Sequence, residues 1–323
     1  MTAVLASAPG KVVLCGEYAV LDGAAAVSMA INCRANVKVS DFDGDWHRVS
    51  APGYSSLEGR FVSNGATVDW LQGEHEYRIV DAVWRTVGRM RNGYLSIELD
   101  TRAFLDDVAG SKIGVGSSAA LTVALAAALS ESSDVLDPAM RAHSMFQQGV
   151  GSGVDIATGV SGGLIEYRMN EATISRLRWP AGLAYRLVWT GVPANTRTKL
   201  DKLQLAGHRA SRTSLASAAE TMAKAWRSAS AVMSEYPAYI ETLRQFSVDH
   251  DLGIFDAGHD KLVTEAAAAG LVYKPCGAGG GDVGILLGED DEQLDDFMIR
   301  RKAWGRQVLN ARLEPDGVEM EQR

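Results

Sequence analysis

With 323 residues, 46% of them hydrophobic and 22% charged, the chain has the composition of one large or two smaller folded domains, not of a disordered protein. A formal net charge of -8 argues against a non-specific nucleic-acid surface, and the most apolar run, AALTVALAAAL, is too short to cross a bilayer. Cys15, Cys33 and Cys276 have no metal-binding spacing, and the start lacks a basic or long apolar stretch, so a reducing cytoplasmic setting without a secretory leader is expected.

The first third reads as strands: VLASAPG, KVVLCGEYAVL, AVSMAINCRANVKVS and HRVSAPGY are Val-, Ile- or Tyr-bearing runs punctuated by Gly, Asp and Pro. Helical spacing of Ile79, Val80, Val83, Trp84, Val87 and Met90 predicts a helix within EHEYRIVDAVWRTVGRMRN, and YLSIELDT alternates like a half-buried strand. An Ala-rich helix follows the loop AFLDDVAGSKIGVG, and Asp137-Pro138 opens a shorter one. VGSGVDIATG reads as a loop before a strand at GGLIEYRM. After LAYRLVWTG, a strand, a long helical region runs from about 196 to 250, with a break expected near Tyr236-Pro237. A helix at DKLVTEAAAAG, a strand at GDVGILLGE, a helix at DEQLDDFMIRRKAWG and a closing strand at RQVLNARLE complete the chain. The pattern predicts an α+β protein of two units, 1–178 and 179–323.

Three segments concentrate small residues beside charged or hydroxylated ones: SAPGKVVLCGEYAVLDG (7–23), KIGVGSSAALTVAL (112–125) and KPCGAGGGDVGILL (274–287). In the second, Gly114 and Gly116 free the backbone, and Ser117 and Ser118 stand where a helix leaves its first amides unpaired, a setting suited to phosphate oxygens. The same residues would equally serve as the cap of a buried helix. GVGSSA follows a polar stretch instead of a buried strand, and Gly10-Lys11 continues with Val, so neither the dinucleotide fingerprint nor the Walker loop fits. The glycines at 277 and 279–281 imply a backbone folded tightly against something, or a long hairpin loop. Asp282 fits a turn or a substrate contact, and Cys276 a small buried neighbour. Asp155, alone among Gly, Ser, Val and Ile, is either a turn cap or the partner of a cation such as Lys11. The scattered histidines offer no zinc spacing.

Together, PGKVVLCGEYAVLDG, GVGSSAA and GAGGGDVG resemble, in order, the three signature motifs of the GHMP kinases, the superfamily of galactokinase, homoserine kinase, mevalonate kinase and phosphomevalonate kinase. Lys112 ahead of GVGSSAA, the segment AHSMFQQGVGSGVDIA, the stretch WTGVPANTRT and Asp282 after GAGGG are most like phosphomevalonate kinase. The chain departs from the pattern in carrying Gln147 and Gln148 where mevalonate kinases hold Mg²⁺ with a glutamate, and in lacking a lysine before GSG.

The resemblance implies an N-terminal domain like ribosomal protein S5 domain 2 and a ferredoxin-like C-terminal domain. It implies ATP- and Mg²⁺-dependent phosphorylation of 5-phosphomevalonate to the diphosphate, by a monomer or homodimer with no nucleic-acid or membrane partner. Lys11 and Asp155 would be catalytic; Lys112, Gly114, Val115, Gly116, Ser117 and Ser118 would hold the nucleotide, with Ser118 on the metal. Ser152, Gly153, Gly277, Ala278, Gly279 and Asp282 would shape the substrate side. Arg197 and Lys199 would meet its carboxylate or phosphate, unless with Lys202 they belong to a solvated helix. Alternative readings are a mevalonate kinase, a GHMP kinase for another hydroxy acid or alcohol, an ATP-consuming decarboxylase of the same superfamily, or a non-catalytic nucleotide-binding regulator.

Overall fold

The strand runs at the start of the chain fold as one long antiparallel pair, β1 (Ala3–Cys15) against β2 (Ala26–Phe42). The computed structural model describes residues 3–88, 93–106, 110–149, 151–194, 196–205, 209–300 and 307–322. β1 does not end at Pro9-Gly10 but shifts register there, because a proline cannot donate to the ladder. Gly10 then lets the strand press against a neighbouring loop: a Cβ at this position would lie 2.6 Å from the Val115 carbonyl. The shift aims Lys11 at that loop, and the Lys11 amide donates to the Val115 carbonyl at 2.9 Å.

The remaining strands of the first sheet are β3 (His47–Ala51), β4 (Ser55–Asn64), β5 (Thr67–Gln72), β6 (Tyr94–Asp100), β7 (Leu164–Arg168) and β8 (Thr173–Leu177). Helices α1 (Arg78–Val87), α2 (Ser117–Ser130), α3 (Leu136–Phe146) and α4 (Val154–Ser161) belong to the same half. The second half holds β9 (Ala184–Trp189), α5 (Thr196–Leu205), α6 (Arg209–Ala225), α7 (Ala229–Asp249), α8 (His259–Ala268), β10 (Val272–Pro275), β11 (Val283–Gly288), α9 (Asp291–Ile299), β12 (Gln307–Val308) and β13 (Glu319–Gln322). The first sheet runs β13-β1-β2-β6-β3-β4-β5, with β7 on the free half of β2 and β8 beyond it; the second runs β10-β11-β9-β12.

α2 is apolar around its whole circumference, and Ala119 to Leu129 are buried except Leu121. A helix buried on every face belongs at the centre of a layer; α2 lies between β1 and β2 on one side and α1, α3 and α4 on the other. Leu125, fully buried there, should cost about 2–5 kcal/mol when truncated to Ala, read as a lower urea midpoint with an unchanged slope. A second core joins the halves: Leu14, Met29 and Ile31 pack with Tyr236, Tyr239 and Leu243 of α7 and with Ile285 of β11.

Four expectations are corrected. Pro237 lies inside α7; the break falls earlier, where Ser228 caps the helix by accepting from the Ala231 amide. The ladder bond that proline removes is offset by burial of Tyr236, Tyr239, Ile240 and Leu243. VGSGVDIATG is not a loop throughout: Gly153, at φ 79°, starts α4, whose Val154, Ile156, Ala157 and Thr158 are buried. Among the described residues of RQVLNARLE, Gln307 and Val308 form a short strand on β9, to which Leu309 adds one amide bond, and the closing strand is β13, on β1. β4, β5 and β8 appear where no strand was expected; few of their residues are buried, which weakens the apolar signal. Met90, Val150 and Asn195 lie outside the described residues.

Candidate active site

Three loops from distant parts of the chain meet at one lysine. Lys11 Nζ lies 3.3 Å from Asp155 Oδ1, in the first turn of α4. The aliphatic stem of Lys11 runs along Gly116: a Cβ there would be 3.2 Å from Lys11 Cγ. On a third side, a Cβ at Gly277 would lie 3.9 Å from Lys11 Nζ. Gly116, at φ 86°, turns the chain into α2, so the first amides of that helix, at Ser117 and Ser118, carry its positive end.

Two clefts flank this helix end. The first, with about 750 Å³ of open space, is lined by Lys11, Ser152, Gly153 and Asp155 on one wall and Leu200, Gly277 and Ala278 on the other. The second, of about 850 Å³, takes in Tyr54, His75, Arg78, Lys112, Ser117 and Ser118. Lys112 Nζ sits over the Tyr54 ring, 5.6 Å from its centre. His143 stands at the seam: it lines the first cleft and brings Nε2 within 3.4 Å of the Ser118 hydroxyl. Burial pushes its pKa below the usual value, against the pull of Asp155 and with the help of Lys11, so the ring is neutral at pH 7.

The glycine-rich third loop is a brace. Gly277, Gly279 and Gly280 have φ of 64°, 67° and 70°, and Asp282 follows at 54°. Asp282 donates its amide to the Val192 carbonyl at 2.7 Å and accepts at Oδ1 from the Ala194 amide at 2.9 Å. Its carboxyl group also fills the space a side chain at Gly114 would need, with Cγ 2.0 Å from that Cβ position. Burial raises its pKa, opposed by the Ala194 amide and the charges of Lys11 and Lys199.

Lys199 is not part of a solvated face. Its amine donates to the carbonyls of Gly279 at 2.7 Å, Ala278 at 3.2 Å and Gly253 at 3.4 Å, clasping α5 to the glycine loop. Burial pulls its pKa down to about 8, against the attraction of Asp256 and Asp282. Below about 8 the folded and unfolded chains both hold the proton; between about 8 and the ordinary 10.5 only the unfolded chain does. The stability carried by this group therefore rises with pH across that window. Reductive ¹³C-methylation should show a lysine resonance titrating near 8 that disappears in Lys199→Arg; no such resonance would contradict the burial of this amine. Arg197 reaches Gln148 Oε1 in an exposed contact, and Lys202 pairs with Asp251 at the surface.

Lys11, Asp155, Ser152, Gly153, Gly277 and Ala278 thus share one cleft, and Lys112, Ser117 and Ser118 share the other. Gly114, Val115, Gly116, Gly279 and Asp282 belong to the turns beside them, while Arg197 lines neither cleft. Sequence reasoning missed Glu17, Tyr18, His143 and Leu200 in the first cleft, which also takes in Gln147, noted above as standing in place of a glutamate. The first two stand in the first small-residue segment; His143 and Leu200 carry no local pattern that could have flagged them.

No protein-family model matches the chain. It is 28% identical to the phosphomevalonate kinase of Streptomyces sp. (strain CL190), across 97% of each protein. To the mevalonate kinase of Bos taurus it is 29% identical, over 88% of this chain and 85% of that one. Among solved structures, Streptococcus pneumoniae phosphomevalonate kinase in complex with phosphomevalonate and AMPPNP superposes with a TM-score of 0.79 at 18% identity, over 96% of this chain and 99% of the other. That last likeness is one of fold.

Proposed function

We propose, from the premise that this chain belongs to the GHMP kinase superfamily and is most like its phosphomevalonate kinases, that it transfers the γ-phosphoryl group of ATP to the phosphate of 5-phosphomevalonate. The observation that carries the reading is the Lys11–Asp155 pair, set where the end of α2 separates two clefts, one lined by Ser152, Gly153 and Gly277 and the other by Lys112, Ser117 and Ser118.

In this reading the second cleft takes the nucleotide, with its phosphates on the Gly114–Ser118 turn and Lys112 nearby. The first takes the acceptor. An acceptor phosphate oxygen attacks the γ-phosphorus, the bond to the β,γ-bridging oxygen breaks, and ADP leaves with that electron pair. The acceptor oxygen is already anionic at neutral pH, so little basicity is required, and Asp155 would orient the acceptor through Lys11, whose ammonium it holds in the cleft. Lys11 neutralises charge on the group in flight. Residues 1–178 would supply the nucleotide side and most of the acceptor wall, which 179–323 would close with Leu200, Gly277 and Ala278.

Magnesium fits as an ion carried in with the phosphates. The described residues contain no cluster of three His, Cys, Asp or Glu able to cage a metal, but Ser118 offers a hydroxyl oxygen of the kind Mg²⁺ takes. When bound, the ion would draw charge from the phosphate oxygens. No helix among the described residues is long and apolar enough to cross a membrane, and the three cysteines are free, which fits a reducing cytoplasmic setting.

The test offers ATP and Mg²⁺ with mevalonate, 5-phosphomevalonate or diphosphomevalonate while ADP and CO₂ are followed. ADP release with 5-phosphomevalonate alone is expected. Turnover of mevalonate alone would make this a mevalonate kinase, in which Asp155 must also take a hydroxyl proton. CO₂ release would mark a decarboxylase, and no turnover at all would favour a nucleotide-binding regulator or another acceptor.

A further inference from the structure

A fully buried ion pair lies behind the acceptor cleft, and the transfer chemistry does not use it. Lys274, at the end of β10, pairs with Glu17, just beyond β1; their side chains are 0% and 2% exposed. Lys274 also donates to the Pro275 carbonyl at 2.6 Å. Tyr239 of α7 donates to the other Glu17 oxygen at 2.7 Å and accepts from the Gly16 amide at 2.8 Å. The groups that flank this network face the cleft. Tyr18, held at φ 61°, hydrogen-bonds the Ala278 carbonyl at 2.7 Å, and Glu17, Tyr18, Gly277 and Ala278 all line the cavity.

Burying two charges usually gains little stability over an apolar pair of the same shape, whereas removing one partner strands the other. What this pair does supply is a fixed distance between two loops from opposite ends of the chain. Each carries part of the acceptor wall, and both border Lys11. Lys274 is wholly buried and so cannot touch the acceptor itself.

We infer that Glu17, Lys274 and Tyr239 are positioning residues, which lock the Tyr18 turn to the Gly277–Ala278 turn and so set the width of the acceptor cleft. The inference rests on the phosphoryl-transfer reading for its kinetic effect, and on geometry alone for its structural one.

Two variants test it. Glu17→Gln/Lys274→Met removes both charges while keeping their bulk, and Tyr239→Phe removes only the hydroxyl that ties Glu17 to the Gly16 amide. The double variant should keep a cooperative melt while kcat/KM for the acceptor falls about tenfold or more, with KM for ATP within about twofold of the parent. Tyr239→Phe should lose about threefold in the same quantity. In both, amide exchange of the 276–282 peptide should quicken. Parental acceptor kinetics together with parental exchange would overturn the inference. Should the double variant not fold, Tyr239→Phe decides by the same two readouts. If the parent protein turns over no acceptor, the kinase reading falls and the exchange comparison alone decides this one.

Discussion

Asp155→Asn is expected to lower kcat by about tenfold to a hundredfold at saturating ATP and acceptor, and Lys11→Met by a similar factor, as lost positioning and lost charge stabilisation predict. The two side chains form one ion pair, 3.3 Å apart, with 13% and 29% of their side-chain surfaces exposed. Either change leaves the other partner in contact with the cleft, so the loss should appear in kcat more than in the melting temperature. Because the pair acts as a unit, the double variant should cost little more than the worse single one. Steady-state kinetics on the three proteins, with 5-phosphomevalonate as acceptor, provides the check. Unchanged kcat in both single variants would place the reacting centre elsewhere.

Gly114→Ala should be a damaging single methyl in the site. Gly114 has φ 86°, where a side chain costs about 1–2 kcal/mol. In addition, its new Cβ would meet the Asp282 carboxyl group at 2.0 Å, and Asp282 is itself tied to Ala194 and Val192. The second and third loops would have to separate. A fall in kcat/KM of about tenfold or more is expected with a lowered melting temperature. Gly110→Ala is the control: its φ of 62° is also left-handed, yet among the described residues nothing lies within 4 Å of the added methyl. A steric origin further requires that Gly114→Ala/Asp282→Ala regain part of the lost stability. If Gly110→Ala and Gly114→Ala behave alike, the contact with Asp282 carries none of the effect.

The parts of the site that were legible in the chain are those where backbone geometry forces a residue type. Gly114, Gly116, Gly277, Gly279 and Gly280 all take positive φ, and such demands leave glycines in a sequence whatever surrounds them. The apolar circumference of α2 and the alternation of β6 were legible for the same local reason. Partnership across the fold was not. Nothing near Lys274 announces Glu17, 257 residues away, and Lys199 reads as a surface cation until the glycine loop folds over it. His143 is spaced like any residue on the buried face of α3; only assembly brings it to Ser118. Pro237 misled because a local rule was overridden by the burial of α7.

The pairing of Glu319–Gln322 with Val4–Ser7 bears on how the protein is made. Until residues 319–322 leave the ribosome, one margin of β1 presents unpaired amides and carbonyls, an invitation to strand addition by another nascent chain. Met320 and Val318 then pack against the same core as Val4 and Ala6. Removing residues 318–322 should therefore raise the yield of insoluble aggregate during synthesis at 37 °C, even though the cleft at Lys11 lies beyond the stretch of β1 that they cover.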